Sequence, residues 1–434
     1  MKKLLQLIMG FLICVPVMAQ DNVYPAPPYE GLLFIENATV HVGDGTVLPH
    51  TTIQVNKGKI EKIGQNLPIP ADDVKRFDAT GKHVYPGLIL ANTNLGIKGI
   101  GSNVFGSNDD REIGVLNPNV RSIVAYNTDD EIINTLRSNG ILLAQVVPGG
   151  GLLQGSSSIV QLDAWTWEDA IYRADNGIHF NMPSLLRRPS RGRSAASADP
   201  MKAAMENIEL VKDFFREAKI YHSLKTKPAQ KNLKFEAVKG LFDQSQTFFV
   251  HCNIVKEMLM AIDFVNEFGF KVCLVGASES YRIAPLLKQN NISVIITRIH
   301  DLPTSEDDDV DQPFKTPLAL HNAGVLFGIA DNDSQTRGRN LSFTAGTAAA
   351  YGLDKEAALS SITLNLAKIL GIDNITGSIA VGKDANLIIC HGDILDIRSS
   401  EVTKAFIQGR EINLEDKHKQ LNERYLRKYG LQND

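Results

Sequence analysis

The sequence contains few cysteines and no cysteine pattern that would hold zinc or build a disulfide framework. Four cysteines occur in 434 residues, and no two have the spacing Cys-x-x-Cys. Cys14 lies in an N-terminal apolar run, which leaves the odd number Cys252, Cys273 and Cys390 in the rest of the chain. An odd number argues against paired bridges. Each of the three lies in or beside an apolar run, so we expect small buried side chains.

The sequence also lacks an excess of positive charge. Its formal net charge is −4, which gives no protein-wide basic surface for nucleic acid or anionic lipid. The basic stretch at residues 187–200 has no interleaved aromatic side chains. It predicts a solvated loop, with a local anion site as the weaker alternative. With 43% hydrophobic residues, the chain can bury a large core in more than one structural unit.

The longest apolar run near the N-terminus predicts a signal peptide. Residues 4–17 are mostly apolar, follow Lys2 and Lys3, and are followed closely by Ala19. This is the order of a positive region, an apolar region and a small residue at a cleavage site. The run is too short for a membrane span. We therefore predict that residues 1–19 are removed and that the mature protein is exported, to the periplasm or outside the cell.

The rest of the chain divides into β-rich ends and an alternating middle. Residues 32–78 predict short strands, including a hairpin whose turn is Asn56-Lys57-Gly58. Residues 377–412 show a similar pattern, so the two ends could pair into one small sheet domain. Between them, apolar strand-like runs alternate with helical patterns, which favours a parallel sheet or barrel. The Gly- and Ser-rich residues 149–158 lack the ending of a P-loop and predict a mobile loop at the barrel mouth.

Two stretches resemble a known family. Pro86-Gly87 precedes the apolar run 88–91 and then Asn92-Thr93-Asn94, which resembles the first barrel strand of the amidohydrolase superfamily, where His-x-His follows. Near the other end, residues 357–359, 362–371 and 377–387 resemble the end of imidazolonepropionase-like amidohydrolases.

The resemblance implies an α/β protein with a (β/α)8 TIM-type barrel and a small β-sandwich domain. The barrel would span residues 83–372. The sandwich would combine residues 20–82 with residues 373–413, and residues 414–434 would form a charged tail. In such barrels the active site lies at the C-terminal ends of the strands.

Members of this superfamily bind one or two divalent metals, and the resemblance implies where their ligands would lie. Asn92 and Asn94 occupy the positions of the first histidine pair, and an amide oxygen is a poor zinc ligand. His251 matches the histidine of strand five, and Asp331 matches the proton-handling aspartate after strand eight. The strand-six position falls near Gly276, which offers no ligand. No strand-four lysine or glutamate can be placed.

The resemblance thus leaves His251 and Asp331 as the candidate catalytic and metal-binding residues, with Asn92 and Asn94 as pocket candidates. Catalytic zinc usually has three protein ligands. His300, after the apolar run 294–299, could be a third ligand, although a hydrogen bond in a loop is the better prediction. Each of these side chains could also be structural, because polar groups at strand ends are commonly satisfied by hydrogen bonds.

Two functions remain open at this point. The chain could be a hydrolase acting on carbon–nitrogen bonds other than linear peptide bonds, with Asp331 as general base and zinc weakly bound or absent. It could instead be a catalytically inactive binding or scaffold protein. The expected partners are a small molecule and, as a further possibility, another copy or an active amidohydrolase. Nucleic acid and a membrane span are not expected.

Overall fold

The computed structural model describes residues 23–71, 74–99, 109–186, 200–226, 228–331 and 337–431. The predicted signal peptide lies outside these residues, as does nearly all of the basic stretch. The strands of the described chain are β1 Leu32–His41, β2 Val47–Asn56, β3 Lys59–Gly64, β4 Lys75–Asp78, β5 His83–Pro86, β6 Leu88–Thr93, β7 Ile141–Val146, β8 Leu153–Gln161, β9 Ile171–Asn181, β10 Thr247–Cys252, β11 Val272–Gly276, β12 Ser293–Ile296, β13 Phe327–Ile329, β14 Leu387–His391, β15 Glu401–Ile407 and β16 Arg410–Glu411.

Most helices lie between barrel strands in the sequence, and the last one follows β16. They are α1 Glu131–Ser138, α2 Trp167–Ala170, α3 Pro200–Ser223, α4 Leu233–Ala237, α5 Lys239–Phe242, α6 Val255–Phe268, α7 Ala284–Gln289, α8 Gln312–Asn322, α9 Leu341–Ala350, α10 Lys355–Ser361, α11 Leu364–Leu370 and α12 Lys417–Tyr429, with short 3-10 turns at Ser122–Ala125, Ser280–Ile283 and Gly338–Asn340. None of the helices within the described ranges is both long and apolar enough to cross a membrane.

The two chain ends form one sheet, as the sequence predicted. Its order is β16-β15-β14-β5-β1-β2-β3, with β4 also paired to β1. The predicted hairpin joins β2 to β3, and Lys57 and Gly58 in its turn have φ of 47° and 75°. Positive φ at both central positions matches the right-handed twist of the strands, which glycine allows without strain. The strand His83–Pro86 pairs in this sheet, so the chain enters the barrel at Gly87.

The middle of the chain forms the second sheet, an almost closed barrel in the order β13-β12-β11-β10-β9-β8-β7-β6. The predicted fold class is confirmed. Neighbouring strands are parallel except around β8, which is antiparallel to both β7 and β9. The expectation of a mobile loop at residues 149–158 was wrong for residues 153–158, because Leu153–Gln161 is this buried reversed strand, whereas residues 149–152 do connect two strands. Its serines made the segment look like a loop, but several of their hydroxyls form hydrogen bonds inside the protein.

Alternating side chains divide the barrel core into two layers. On β6, Leu88 and Leu90 pack with the surrounding helices, whereas Ile89 and Ala91 face the interior cluster. The same alternation places Phe249 inside on β10. Such alternation follows from the two-residue period of a strand. Residues of α11, including Leu366 and Ile369, complete the interior cluster. Cys252, Cys273 and Cys390 are buried and free, which confirms the sequence prediction.

Candidate functional site

The first candidate residues lie where β6 ends. The pairing of β6 with β7 shifts register between Leu90 and Thr93, and Asn92 within this irregularity has φ of 53°. The regular two-residue alternation that predicted a shared direction for Asn92 and Asn94 is therefore interrupted. Both asparagines are partly exposed. The Asn92 backbone N–H donates to Oε1 of Gln145, at 3.2 Å between nitrogen and oxygen.

That hydrogen bond begins a buried polar network that runs across five neighbouring strands, from β6 to β10. The Gln145 side chain on β7 donates through Nε2 to Oγ of Ser157 on β8, at 3.1 Å. Nε2 of His179 on β9 lies 2.9 Å from the same oxygen. Nδ1 of His179 lies 2.9 Å from Nε2 of His251 on β10. Gln145, Ser157 and His179 are fully buried, whereas His251 is partly exposed.

The network is uncharged at neutral pH. Burial lowers the pKa of His251 to about 4, and burial followed by the nearby His251 lowers the pKa of His179 well below its ordinary value. Desolvation disfavours the charged imidazolium, and neither ring has a carboxylate among the groups that shift its pKa. The His179 ring stacks on Phe249, with centroids 4.6 Å apart and planes at 12°. Packing and hydrogen bonding together hold the two imidazoles in place.

Asp331 lies at the same end of the barrel, two residues after β13. The backbone N–H of the preceding Ala330 donates to the carbonyl of Ile296, at 2.9 Å, which anchors this strand end to β12. The Asp331 carboxylate is mostly buried, with 13% of the side chain exposed, and its Oδ1 lies 3.4 Å from Nη2 of Arg337. The intervening residues 332–336 lie outside the described part of the chain.

The strand-six position is closed to a ligand by backbone conformation. Gly276 ends β11 with φ of +91°, a region that L side chains rarely adopt. A Cβ at this position would lie 2.7 Å from Oδ1 of Asn253. A histidine here would meet both strain and a clash. The backbone conformation at the end of β11 therefore disfavours a ligand side chain at this position.

The other candidate ligands near the strand ends are already engaged. Buried Glu257 accepts hydrogen bonds from the backbone N–H groups of Leu185 and Asn253, at 3.2 and 3.0 Å. Glu279 accepts one from Val255. His300 is exposed, and its Nε2 lies 2.7 Å from Oγ1 of Thr347 on α9, which is the loop hydrogen bond preferred from the sequence.

These residues do not fit the divalent metal that the fold family implies. Within the described ranges, no three His, Cys, Asp or Glu side chains form a group that could hold a metal ion. Nε2 of His251 is used by His179, and Asp331 is paired with Arg337. Two amides replace the first pair of imidazoles, and Gly276 cannot be exchanged for a ligand without strain. The donor groups that the structure describes at this barrel mouth therefore do not by themselves make up the metal centre of the family.

His251 and Asp331 were predicted at strand ends from the sequence, whereas the network residues Gln145, Ser157 and His179 were missed. His179 had a weaker signal than His251, because it lies between Ile178 and Phe180, whereas His251 follows the apolar residues 248–250. The place of β9 in the barrel depends on the reversed strand β8, which the sequence pattern did not indicate.

Comparison with known proteins agrees with this architecture. The model of the amidohydrolase family matches residues 202–412. An amidohydrolase, tasK, of Hapsidospora irregularis is 20% identical over 82% of this chain and 39% of its own length, so the chain spans well under half of that relative. The imidazolonepropionase of Shewanella frigidimarina is 25% identical over 79% of this chain and 86% of its own length.

Solved structures show the same fold. An amidohydrolase from Thermotoga maritima superposes with a TM-score of 0.75 and 24% identity, covering 88% of this chain and 99% of the other. A prolidase in complex with N-methylphosphonate-L-proline superposes with a TM-score of 0.54 and 15% identity over the same shares of the two chains. At these identities the likeness concerns the fold and not the substrate.

Proposed function

Because the chain is a member of the amidohydrolase superfamily, a family of hydrolases, we propose that it hydrolyses a carbon–nitrogen bond of a small non-peptide amide through an altered site. The site would lie at the C-terminal mouth of the barrel. Asp331 would act as the general base, and neutral His251 would contact the bound substrate. The metal-binding function of the ancestral site would be weak or lost, because its ligand positions carry Asn92, Asn94 and Gly276.

The position and surroundings of Asp331 carry this proposal. It follows the last barrel strand, where the family has its proton-handling aspartate, and its mostly buried carboxylate faces a guanidinium at 3.4 Å. In the proposed reaction the carboxylate takes a proton from water as the water oxygen attacks the amide carbonyl carbon. The carbon–nitrogen bond then breaks, and the proton passes to the leaving nitrogen. Arg337 is the nearby cation that could stabilise the developing negative charge on oxygen.

A substrate panel with matched variants tests the proposal. Cyclic amides, lactams and Xaa-Pro dipeptides would be incubated with the mature protein at pH 7, and the released amine would be measured. We expect turnover of a cyclic amide and a loss of about 100-fold or more in Asp331→Asn, the usual contribution of a general base. Asp213→Asn, on the outer face of α3, is the control, because Asp213 is exposed and pairs with surface Arg216. Equal rates in wild type and Asp331→Asn would refute the assignment.

A specific observation favours a second candidate, a binding protein without catalysis. The interior around His251 is occupied by neutral hydrogen bonds, and Gly276 excludes a ligand on the neighbouring strand. The protein would then bind a small molecule, alone or in an oligomer with an active relative. Binding of a cyclic amide without turnover, together with a stable complex in size-exclusion chromatography with such a relative, would favour this function over hydrolysis.

We also propose that the protein is exported after cleavage behind Ala19, which rests on the N-terminal charge and hydropathy pattern alone. Expression of the full chain with fractionation of the cells tests this. The expected result is a periplasmic or secreted product whose N-terminal residue is Gln20. A cytoplasmic product that begins at Met1 would overturn the proposal.

A further inference from the structure

His251 uses one ring nitrogen inside the protein, and the other has no hydrogen bond to the described residues. Its Nε2 lies 2.9 Å from Nδ1 of His179. Its Nδ1 makes no hydrogen bond to any group in the described ranges, and the residue is partly exposed at the end of β10. Whether Nδ1 offers a proton or a lone pair decides what kind of ligand it can bind.

The protons of the network can be assigned from its fixed end. The Asn92 backbone N–H can only donate, so the Gln145 side chain must accept through Oε1 and donate through Nε2. Ser157 Oγ therefore accepts from Gln145. Its single proton is directed to two acceptors, Oδ1 of Asn176 at 2.8 Å and the carbonyl of Gly177 at 3.4 Å. The remaining lone pair of the hydroxyl oxygen is then available to His179.

These assignments fix both imidazoles in turn. Nε2 of His179 must carry the proton that it donates to Ser157, so Nδ1 of the neutral ring is an acceptor. Nε2 of His251 must then carry the proton donated to that acceptor. Nδ1 of His251 is left unprotonated.

We propose that His179 is a positioning residue that holds His251 in its Nε2–H tautomer, so that the site binds small molecules through an N–H group donated to the Nδ1 lone pair of His251. The tautomer follows from the hydrogen-bond network with the Asn176 amide oriented as in the structure, its Oδ1 facing Ser157. The ligand class, a small amide with a free N–H, rests on the proposed function and deepens it. A hydrogen-bonded chain thus takes the place that metal coordination has in a complete site of this family, because it fixes the direction and protonation of the retained imidazole.

Nuclear magnetic resonance of protein labelled with ¹⁵N-histidine tests the tautomer without any assay of activity. Protonated and unprotonated ring nitrogens resonate in separate ranges, and His251→Asn identifies the resonances of this residue. In the wild type we expect a protonated Nε2 and an unprotonated Nδ1 for His251 at pH 7. The opposite pattern would overturn the proposal. It would result if the Asn176 amide were reversed, so that Ser157 donated its proton to His179.

Two substitutions of His179 test the positioning role. His179→Leu removes the acceptor, and we expect the His251 resonances to shift to the average of two exchanging tautomers. His179→Asn keeps a side-chain oxygen able to accept the Nε2 proton, and we expect the single tautomer to be retained. If His179→Leu keeps the wild-type pattern, His179 does not set the tautomer. If His179→Leu fails to fold, Ser157→Ala, which withdraws the acceptor of the His179 proton, provides the same comparison with a smaller change.

Hydantoin, a cyclic amide with two N–H groups, tests the ligand class, with its N,N′-dimethyl derivative as the matched control. We expect hydantoin to shift the Nδ1 resonance of His251 and to bind about tenfold more tightly than the dimethyl compound, as expected for one lost hydrogen bond. Equal affinities, or no shift at Nδ1, would overturn the ligand assignment. Binding without turnover would leave this inference in place and would reject the proposed hydrolysis instead.

Discussion

The two halves of the barrel interior differ in chemistry. From β6 to β10 the interior contains Gln145, Ser157 and His179 among its apolar residues, joined by hydrogen bonds. From β11 to β13 the interior positions are mostly apolar, among them Cys273, Val275, Ile295 and Ala330, with buried Ser293 on β12 as a polar exception. His251 lies on the border strand β10.

The difference indicates what holds the His251 ring in place. A ring nitrogen that points into the protein needs a hydrogen-bond partner, because an unmade hydrogen bond in the interior costs about 1–3 kcal/mol. Gly276 on the neighbouring strand β11 has no side chain to offer. His251 is therefore stabilised from the other side, by the hydrogen bond to His179 on β9.

A substitution at the border between the two halves should reduce the free energy of unfolding most. Phe249 is fully buried, faces the apolar cluster and stacks on His179 at 4.6 Å. We expect Phe249→Ala to reduce the free energy of unfolding by about 3–5 kcal/mol, through lost burial and a cavity. Urea denaturation followed by circular dichroism would measure it. A loss below about 1 kcal/mol would show that the halves are not packed against each other at this ring.

The second prediction concerns the pH dependence of the free energy of unfolding, which should come from the histidine at the border of the polar half. The folded-state pKa of His251 is lowered to about 4, against about 6.5 for an unfolded histidine. Between these values the unfolded chain binds more protons than the folded one, so stability is lost as pH falls through this window. The loss should reach about 3 kcal/mol for this residue, at 1.36 kcal/mol per pKa unit.

Urea midpoints measured from pH 7 to pH 4 check this dependence. His251→Asn removes one of the two rings whose pKa is lowered and should make the loss of stability with falling pH smaller than in the wild type. His321→Asn, an exposed site on α8, is the control and should follow the wild type. A wild-type curve with no loss over this range would mean that His251 is hydrated and outside the neutral network.

The third prediction addresses the polar half alone. Gln145→Met keeps the volume but removes the acceptor for the Asn92 N–H and the donor to Ser157. Leaving these groups unpaired should cost about 1–3 kcal/mol of unfolding free energy. Gln420→Met, on the exposed helix α12, should stay within about 0.5 kcal/mol of wild type. Equal denaturation midpoints for the two variants would show that the network contributes no stability.

Much of this architecture was predictable from local pattern, because the signals were local. The β-rich ends, the turn at Lys57-Gly58 and the apolar strands around His251 each follow from periodicity and turn chemistry. The resemblance added the order of the barrel strands and the place of Asp331. The contacts of Gln145 with Ser157 and of Ser157 with His179 join different strands. They depend on strand register, which a single sequence does not specify.

The reversed strand β8 shows the physical reason why its residues were predicted as a loop. A strand whose inward positions are serines has little hydrophobic periodicity, and Gly155 and Ser156–Ser158 are typical of loops. The hydroxyls are satisfied by partners on neighbouring strands and by the Val120 carbonyl. Tertiary hydrogen bonds therefore override the local preference. The same context dependence explains why Asn92, in a strand irregularity, does not follow simple alternation.

The smallest expected effect is the response to metal, and it bears directly on the comparison of the two halves. In a complete site the ligands of both halves share one ion, so removing it would loosen both. Here the apolar half offers no ligand on β11, and the polar half satisfies His251 with His179. Dialysis against EDTA should therefore change the melting temperature by less than about 1 °C, because a metal ion stabilises the folded state only where it is bound. Protein purified without chelators should contain well under one equivalent of zinc by elemental analysis. One equivalent of zinc, lost together with several degrees of melting temperature, would mean that the two halves are joined through an ion after all.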